Sequence, residues 1–408
     1  MDRLVVVGAS LAGLRAVEAA RRAGFAGRIV LIGAEPHLPY DRPPLSKGFL
    51  EAEREPDTPV FRTRAELAGE LGVELELGTP AVALDIRDRV VTTEDKVVPY
   101  DALVIATGAK AGTGPIAGRL EGVHVLRTLD DARAIRQRMD SGVRSVVVVG
   151  AGFIGSEVAA AARKRGFDVT VVEAMPTPLV RAIGQAMGEA CARLHAANGT
   201  KLLCGTTVSG IEGEGRVERV VLGDGSSIET DLVVVGVGAI PATGWLEGSG
   251  IRLDNGVVCD ETLNAGAPGV YAAGDVVNWR NTLFDRQMRL EHYTSAAEQG
   301  AAAARNALAP AEAQPYVTVP YFWSDWYDSR IQFVGVPDAD QVEVVLGDVD
   351  DRQVVALYRR GDLLAGALAL NGKSEIMKYR ALIARGCGWS DALEFGAQRR
   401  ARSRASRP

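Results

Sequence analysis

Residues 146–155 are Val-Val-Val-Val-Gly-Ala-Gly-Phe-Ile-Gly, and this stretch decides the fold. A continuous β-branched run of this kind is typical of a strand that is buried on both faces of a parallel sheet. Gly150, Gly152 and Gly155 then follow the spacing Gly-x-Gly-x-x-Gly, which indicates a tight turn from the strand into a helix. An alanine-rich segment comes next, and the apolar residues 168–172 predict the second strand of a β-α-β unit.

The same pattern occurs near the N-terminus. Residues 4–7 are Leu-Val-Val-Val, residues 8–13 are Gly-Ala-Ser-Leu-Ala-Gly, and residues 28–32 predict the second strand. Ser10 stands where the second glycine of the spacing is expected, and serine is small enough to be tolerated there. Two such units predict two Rossmann-like dinucleotide-binding domains and therefore an α/β fold.

A glycine-rich turn before a helix has a specific chemistry. The amide groups at the helix N-terminus and the helix dipole favour an anion, and glycine lets a pyrophosphate approach the backbone closely. An acid at the end of the second strand accepts hydrogen bonds from a ribose diol and repels a 2′-phosphate. Glu173 has this place in the later unit, so that unit is expected to prefer NAD(H) over NADP(H). Glu35 has the equivalent place in the earlier unit.

The overall composition excludes several classes of protein. The chain has 408 residues and a formal net charge of −6, so bulk electrostatics do not suit it to wrap nucleic acid. No window approaches the roughly 18 apolar residues that cross a bilayer, and the N-terminus lacks the apolar core of a signal peptide. The 4 cysteines lie far apart, and neither they nor the 4 histidines show metal-ligand spacing. We therefore expect a cytoplasmic protein without a metal site.

Further apolar runs predict the rest of the fold. Strands are expected over residues 100–106, 231–235 and 270–273, and an alanine-rich helix over 291–306. After Pro310 and Pro315 the pattern changes to an antiparallel meander followed by a short helix, over residues 342–346, 354–358, 363–368 and about 374–384. We therefore expect a separate α+β domain from about residue 316. The arginine-rich residues 398–404 predict a solvated and disordered tail, with a docking patch as the alternative.

A series of motifs, matched in order and spacing, resembles the two-dinucleotide flavoprotein reductases with the glutathione-reductase-like fold. More narrowly, the chain is similar to the NADH-dependent ferredoxin reductases that serve bacterial cytochrome P450 and ring-hydroxylating dioxygenase systems. The resemblance extends from about Leu4 to Gly372. The motifs are residues 8–13, 40–47 (Tyr-Asp-Arg-Pro-Pro-Leu-Ser-Lys), 106–108 (Ala-Thr-Gly), 126–129 (Leu-Arg-Thr-Leu), 150–157, 271–276 (Tyr-Ala-Ala-Gly-Asp-Val) and 321–325 (Tyr-Phe-Trp-Ser-Asp).

This resemblance implies that FAD binds the first unit and NADH the second. It gives an FAD-binding domain in two pieces, residues 1–112 and 237–315, with a NAD-binding domain inserted between them at residues 113–236. The α+β domain then takes residues 316–408 and includes the basic tail. The expected fold class is thus two Rossmann-like domains plus a C-terminal α+β domain.

The resemblance also implies roles for individual residues. Lys47 would stand by the flavin ring near N5, paired with Glu157, and these two are the catalytic candidates. A cation there would stabilise the anion of reduced flavin. The expected FAD-binding residues are Gly8, Ser10, Ala12, Gly13, Glu35, Arg42, Lys47, Val82, Thr107, Gly108, Arg127, Gly274, Asp275 and Tyr293. The expected NAD-binding residues are Gly150, Gly152, Phe153, Ile154, Gly155, Glu173, Arg181 and Gly238.

The absence of cysteines near the expected flavin site distinguishes this chain from the disulfide reductases that share the fold. Disulfide reductases need two cysteines close in sequence near the flavin, because one thiolate forms the charge-transfer partner. Residues 38–50, which follow the first β-α-β unit, contain no cysteine. Electrons are therefore expected to enter as a hydride from nicotinamide C4 to flavin N5. They would leave one at a time to an external acceptor, which suits an iron–sulfur protein.

The chain departs from the family pattern at two aromatic positions. Tyr293 ends the segment Arg289-Leu290-Glu291-His292-Tyr293, where many relatives have tryptophan. Trp326 follows Trp323-Ser324-Asp325 where glutamine is usual. Tyr293 is still expected to cover the flavin edge. For Trp326, core packing is the favoured interpretation and a partner-binding site is the alternative.

These observations predict an FAD-dependent, NADH-oxidising reductase that passes single electrons to a [2Fe-2S] or similar ferredoxin, which feeds a cytochrome P450 or an oxygenase. One alternative enzyme would reduce rubredoxin, a quinone or dioxygen instead. A second alternative is an NADH-sensing binding protein of the apoptosis-inducing-factor type, in which NADH changes the choice of partner.

Overall fold

The computed structural model describes residues 1–114, 120–348 and 353–405. It divides into two compact units, which we call unit 1 and unit 2. Unit 1 comprises Met1–Asp41, Thr58–Lys110 and Ile240–Thr318, and unit 2 comprises the remaining stretches, which begin at Arg42, Ala111 and Val319. Residues 42–57 lie in unit 2, whereas the expected FAD-binding domain included them. The division into three domains remains a prediction.

The α-helices of the described residues are named in chain order. They are α1 (Leu11–Arg22), α2 (Gly48–Glu51), α3 (Leu129–Met139), α4 (Phe153–Lys164), α5 (Val180–Ala197), α6 (Tyr293–Leu308), α7 (Lys373–Ala384) and α8 (Trp389–Ala405). The helix expected over 291–306 is α6, and the short helix expected over about 374–384 is α7.

Most of the strands named next lie in unit 1. Two of them, β8 and β17, extend over a boundary between the two units in the sequence. These strands are β1 (Arg3–Val7), β2 (Arg28–Gly33), β3 (Val73–Leu77), β4 (Ala81–Asp85), β5 (Val90–Thr93), β6 (Val97–Pro99), β7 (Ala102–Ile105), β8 (Ala109–Ala111), β17 (Ala239–Pro241), β18 (Val257–Cys259), β19 (Asn264–Ala267), β20 (Val270–Ala272), β21 (Val277–Asn281) and β22 (Arg286–Arg289).

The other strands belong to unit 2. They are β9 (Val123–Val125), β10 (Ser145–Val149), β11 (Asp168–Glu173), β12 (Lys201–Cys204), β13 (Val208–Glu212), β14 (Arg219–Leu222), β15 (Ser227–Glu229), β16 (Leu232–Val235), β23 (Tyr321–Trp326), β24 (Ser329–Gly335), β25 (Gln341–Leu346), β26 (Val354–Arg360) and β27 (Leu363–Leu370).

Unit 1 is built on a six-stranded sheet with the order β19-β20-β7-β1-β2-β3. The first strand β1 lies parallel to both β2 and β7, so the carboxyl ends of these strands share one edge of the sheet. Residues 4–7 are almost completely buried, as the unbroken apolar run predicts. The turn after β1 therefore meets the end of β7 at a common edge, where ligands bind in open α/β sheets.

Unit 2 contains a second parallel sheet with the order β12-β11-β10-β16-β9. Here β10 lies between β11 and β16 and is parallel to both. The two parallel sheets confirm the prediction of an α/β fold with two Rossmann-like units. The glycine-rich turn after β10 again stands at the carboxyl edge of its sheet.

Unit 2 also contains a five-stranded antiparallel sheet with the order β23-β24-β27-β26-β25. The predicted meander is confirmed as β25, β26 and β27, which pair with their sequence neighbours. Strands β23 and β24 are additional to the predicted strands, because residues 321–325 stand out in the sequence only as a motif. Inward and outward residues alternate along β23, the pattern of a strand with one buried face.

Helix α5 and the antiparallel sheet share one hydrophobic core, which explains why they fall in the same unit. Met187 and Cys191 of α5 pack with Phe333 and Trp326 of the sheet. Trp326 is 0% exposed, so core packing is confirmed for it and the alternative of a surface partner site is wrong. The reason is the alternation along β23, which turns Trp326 inward.

The C-terminal segment is helical through Ala405, so the prediction of a disordered tail over residues 398–404 is wrong. Arg399 makes two hydrogen bonds to Glu375 of α7, at 2.8 and 2.6 Å, and Glu375 is 5% exposed. Arg400 donates to the carbonyl oxygens of Val344 and Val345. These arginines serve the fold, and the sequence pattern did not distinguish them from solvated charges.

We expect the Glu375 carboxylate to make the stability of unit 2 sensitive to acid. Hydrogen bonds from Arg399, followed by Lys378, lower the pKa of Glu375 from 4.5 to about 2 against the opposing effect of burial. A lowered carboxyl pKa stabilises the fold above pH 4.5, and the gain is lost as the pH falls towards 2.

Glu375→Gln should therefore lower the free energy of unfolding by about 2 kcal/mol at pH 7, after allowance for solvent screening, and by much less near pH 2. Urea unfolding at both pH values measures the difference. Glu394→Gln, an exposed position on α8, is the matched control and should change stability by less than about 0.5 kcal/mol. Equal effects of the two substitutions at pH 7 would contradict the prediction.

Candidate functional site

The glycine-rich turn of unit 1 is packed against the end of β7. Gly8 has φ +123°, and a Cβ atom there would lie 2.0 Å from the carbonyl oxygen of Ala106. A Cβ atom on Gly13 would lie 1.9 Å from the carbonyl oxygen of Gly8. Both glycines are therefore required by the protein itself, because the strand, turn and helix approach too closely for a side chain.

The turn of unit 2 repeats this geometry. Gly150 has φ +100°, and a Cβ atom on it would lie 2.4 Å from the carbonyl oxygen of Gly236, while one on Gly155 would lie 2.0 Å from that of Gly150. Gly152 differs, because the nearest atom to its Cβ position is 4.0 Å away. Protein packing does not require glycine at this second position, which explains how unit 1 accommodates Ser10 there.

Both turns leave the N-terminus of the following helix without a side-chain cap. Neither Ser10 before α1 nor Gly152 before α4 makes a capping hydrogen bond to the helix amides. No acidic residue lies in the first turn of either helix. Amide groups and the helix dipole are thus directed at the glycine-rich turns, and this arrangement fits the pyrophosphate of a dinucleotide in each unit.

Each strand-end glutamate has hydrogen-bond donors that fix its carboxylate. In unit 2, Glu173 accepts hydrogen bonds from the backbone amides of Ala151, at 2.6 Å, and Met175, at 2.8 Å. In unit 1, Glu35 accepts a hydrogen bond from the Tyr40 hydroxyl at 2.6 Å. Both carboxylates are held in place, and a carboxylate at the end of the second strand suits a ribose diol.

Other residues of the expected FAD set line the same region of unit 1. The Thr107 hydroxyl donates to the carbonyl oxygen of Ala242, and the Gly108 carbonyl oxygen accepts the Ala242 amide, both at 2.9 Å. Gly274 has φ +82° and lies against Ala12, and its amide donates to buried Gln299. Ala12 is therefore a packing residue as well as a candidate ligand.

The N-terminus of α6 presents Tyr293 in unit 1. Burial, followed by the negative charge of Asp41, raises the pKa of Tyr293 above its ordinary value. Asp275 lies between β20 and β21, and its backbone carbonyl oxygen accepts a hydrogen bond from Arg289 at 3.3 Å. Their contacts to FAD remain predictions.

Lys47 and Glu157 meet in unit 2, as the resemblance implies. Lys47 Nζ donates to Glu157 Oε2 at 2.7 Å, and the side chains are 20% and 3% exposed respectively. Ser46 Oγ donates to the same carboxylate oxygen. Ser324 Oγ, at 2.6 Å, and the amide of Asp325, at 3.3 Å, donate to Oε1. A buried carboxylate with this many donors fixes the ammonium group of Lys47 in one place.

Ser46 and Ser324 are members of this cluster that the sequence does not predict. Both belong to the motifs at 40–47 and 321–325, so their positions were marked, but nothing in the sequence showed that they meet Glu157. Arg42 is close by in the chain and donates to the Arg127 carbonyl oxygen at 2.8 Å in unit 2. Its contact to FAD, like that of Arg127, remains a prediction.

The remaining candidates lie at accessible positions. Val82 is 46% exposed on β4 of unit 1, and Ile154 is 41% exposed at the start of α4 of unit 2. Arg181 is exposed near the start of α5, and Gly238 has φ +113° with open space at its Cβ position. Phe153 packs edge-on against Phe322 with 4.6 Å between ring centroids. These positions are compatible with nucleotide contacts, which remain predictions.

Comparison with known proteins decides the family. Residues 2–300 match the model of the family described as pyridine nucleotide-disulphide oxidoreductase, and residues 321–394 match that of the reductase C-terminal domain. The chain belongs to the pyridine nucleotide-disulphide oxidoreductase family. It is accordingly an oxidoreductase that uses FAD and NADH, and the two uncapped helix N-termini fit these cofactors.

Individual members of this family are similar over most of the chain. The ferredoxin–NAD(+) reductase component of the anthranilate 1,2-dioxygenase system of Burkholderia cepacia is 36% identical over 94% of this chain and 95% of that protein. Human apoptosis-inducing factor 3 is 36% identical over 94% of this chain, which spans only 63% of that protein. The covalent putidaredoxin reductase–putidaredoxin complex gives a TM-score of 0.89 at 30% identity, covering 94% and 93% of the two chains.

The cysteines set this chain apart from the disulphide-reducing chemistry in the family name. All 4 are free thiols, and Cys191 and Cys259 are buried. Burial raises the pKa of Cys191 to about 12, so it is not a reactive thiolate. Within the three described ranges we find no helix long and apolar enough to span a membrane and no cluster of side chains suited to a metal ion.

Proposed function

We propose that this protein is an FAD-dependent ferredoxin–NAD(+) reductase that oxidises NADH and delivers single electrons to an iron–sulfur protein of the ferredoxin class. The observation that carries the proposal is the ion pair between Lys47 and buried Glu157, together with the absence of cysteine from residues 38–50 around Lys47. The likeness to a dioxygenase-system ferredoxin–NAD(+) reductase and to putidaredoxin reductase supports it. The acceptor would in turn feed a cytochrome P450 or an oxygenase, and we place the protein in the cytoplasm.

The chemistry of this reaction belongs to the cofactors, since FAD accepts two electrons from NADH and can release them one at a time. The protein then has to bind the two cofactors, orient them and tune their electronic properties. We assign the turn at Gly8 to the FAD pyrophosphate and that at Gly150 to the NADH pyrophosphate. Glu173 selects NADH because a 2′-phosphate would meet its negative charge. We assign Lys47, oriented by Glu157, to electrostatic stabilisation of reduced FAD.

The proposal is tested with the purified flavin-containing protein and a panel of acceptors. We expect rapid steady-state reduction of a [2Fe-2S] ferredoxin, followed spectroscopically, with much slower reduction of rubredoxin, a small quinone and dioxygen. We also expect kcat/KM to be higher for NADH than for NADPH. Rapid turnover with quinone or dioxygen alone would contradict the proposal, and equal or better kcat/KM with NADPH would contradict the role of Glu173. Protein that purifies without flavin would refute the assignment altogether.

Similarity to apoptosis-inducing factor 3 supports a second candidate function, an NADH-sensing binding protein. This candidate predicts slow turnover with every acceptor and a long-lived charge-transfer complex after addition of NADH. The same stopped-flow experiment separates the two functions, because rapid ferredoxin reduction is incompatible with a sensor that holds its reduced state.

A further inference from the structure

Trp326 is linked to the Lys47–Glu157 cluster through Ser324. Residues 324 and 326 point to the same face of β23 because side chains alternate along a strand. The indole Nε1 of Trp326 donates a hydrogen bond to Ser324 Oγ at 2.9 Å, and Ser324 Oγ donates to Glu157 Oε1 at 2.6 Å. All three side chains are buried, with exposures of 0%, 0% and 3%.

The direction of this chain of hydrogen bonds is fixed by the indole. An indole N–H can only donate, so Ser324 must accept from Trp326. The single hydroxyl proton of Ser324 then has to serve Glu157, which is an acceptor when ionised. The tryptophan therefore commits Ser324 to hold the carboxylate.

The indole itself is held by a buried histidine. The ring of His195 lies 4.8 Å from that of Trp326 with an interplanar angle of 30°. His195 bonds through Nδ1 to the Tyr327 hydroxyl at 2.7 Å and through Nε2 to Ser156 Oγ at 3.2 Å. Ser156 directly precedes Glu157 on α4, so the tryptophan and the carboxylate are supported by one buried network.

We propose that Trp326 is a positioning residue of this enzyme, which acts through Ser324 to orient Glu157 and, through Glu157, the ammonium group of Lys47. Its catalytic consequence rests on the proposed function, since it assumes that Lys47 serves the flavin. The hydrogen-bond chain itself does not depend on the proposed function, and it can be tested without NADH or ferredoxin.

The first test uses the indole N–H resonances of the flavin-containing protein in 15N-labelled form. The chain has 5 tryptophans, and Trp326→Phe identifies the resonance of Trp326 by its loss. We expect that resonance to shift in Ser324→Ala and also in Glu157→Gln, while those of the other tryptophans stay in place. An unchanged Trp326 resonance in both variants would overturn the proposal, whatever the acceptor of the enzyme proves to be.

The second test measures the rate of flavin reduction by NADH in single turnovers. Trp326→Phe keeps an aromatic ring at this position but removes the donor, and the net value of such a bond, about 1 kcal/mol, corresponds to roughly a fivefold loss of rate. The apparent dissociation constant for NADH, taken from the dependence of this rate on NADH concentration, should stay unchanged, and the flavin midpoint potential should become more negative. The matched control is Trp279→Phe, which removes a buried indole donor to the Tyr316 carbonyl oxygen in unit 1 and should leave the rate unchanged.

A rate for Trp326→Phe equal to that of the unsubstituted protein, or a loss of the same size in Trp279→Phe, would overturn the positioning role. If Trp326→Phe does not fold, Ser324→Ala takes its place in the kinetic test, with the same expected loss. Failure to reduce any ferredoxin would refute the proposed function. The resonance shifts would still test the hydrogen-bond chain from Trp326 to Glu157.

Discussion

Replacing Gly8 with alanine should give a protein that retains little or no FAD. The backbone of Gly8 has φ +123°, a conformation that L-residues rarely adopt, and the added Cβ atom would lie 2.0 Å from the Ala106 carbonyl oxygen. The backbone conformation alone costs about 1–2 kcal/mol, and overpacking adds about 1–3 kcal/mol. Neither strand end can yield, because β1 and β7 are paired in the middle of the unit 1 sheet.

The measurement is the ratio of flavin to protein absorbance after purification, with the thermal unfolding of the sample as a second reading. Gly24→Ala is the matched control, since Gly24 also has a positive φ, +82°, but no atom lies within 4 Å of its Cβ position. Gly24→Ala should lose only the stability that the backbone conformation costs, and it should keep its flavin. Full flavin content in Gly8→Ala would show that the turn tolerates displacement and does not form the cradle.

Regular patterns allowed most of the fold to be predicted from the sequence. Buried parallel strands such as β1 and β10 are unbroken apolar runs, and the glycines after them mark turns that only glycine fits. The antiparallel strand β23 was missed because its residues also form a motif, and its alternation was not weighed separately. The C-terminal arginines were misjudged because sequence cannot show that Arg399 meets Glu375, which lies on another helix.

The candidate site likewise contains residues that the sequence predicts and residues that it does not. Gly8, Gly150, Glu35 and Glu173 follow from local spacing, because each belongs to one β-α-β unit. The cluster around Glu157 does not follow from local spacing, since Ser46 and Ser324 are 111 and 167 positions away from Glu157 in the sequence. Such contacts depend on how distant segments fold together. The position of Trp326 in the core depends in addition on the register of β23, and a change of one residue would have turned it outward.

The strongest effect on unit 2 is expected from Lys47→Met. The Glu157 carboxylate is 3% exposed, and its ammonium partner lies 2.7 Å away. Removing one partner of a buried ion pair costs about 3–5 kcal/mol, because the other charge stays buried. Here the lower end is expected, since Ser46 and Ser324 still donate to the carboxylate. Removal of the cation from the proposed flavin site should also slow flavin reduction by about 100-fold or more.

Glu157→Gln should be less damaging to stability than Lys47→Met, because Lys47 is 20% exposed and its charge can reach water. The double variant Lys47→Met with Glu157→Gln should be more stable than Lys47→Met alone, since no uncompensated charge is left inside. Urea unfolding and stopped-flow reduction by NADH measure the two effects. The control is Lys164→Met, which breaks an ion pair with Glu51 whose side chains are 42% and 29% exposed and should cost about 1 kcal/mol or less. If Lys164→Met and Lys47→Met lost equal stability and rate, Glu157 could not be a buried anchor for the lysine, and the electrostatic role of the pair would have to be abandoned.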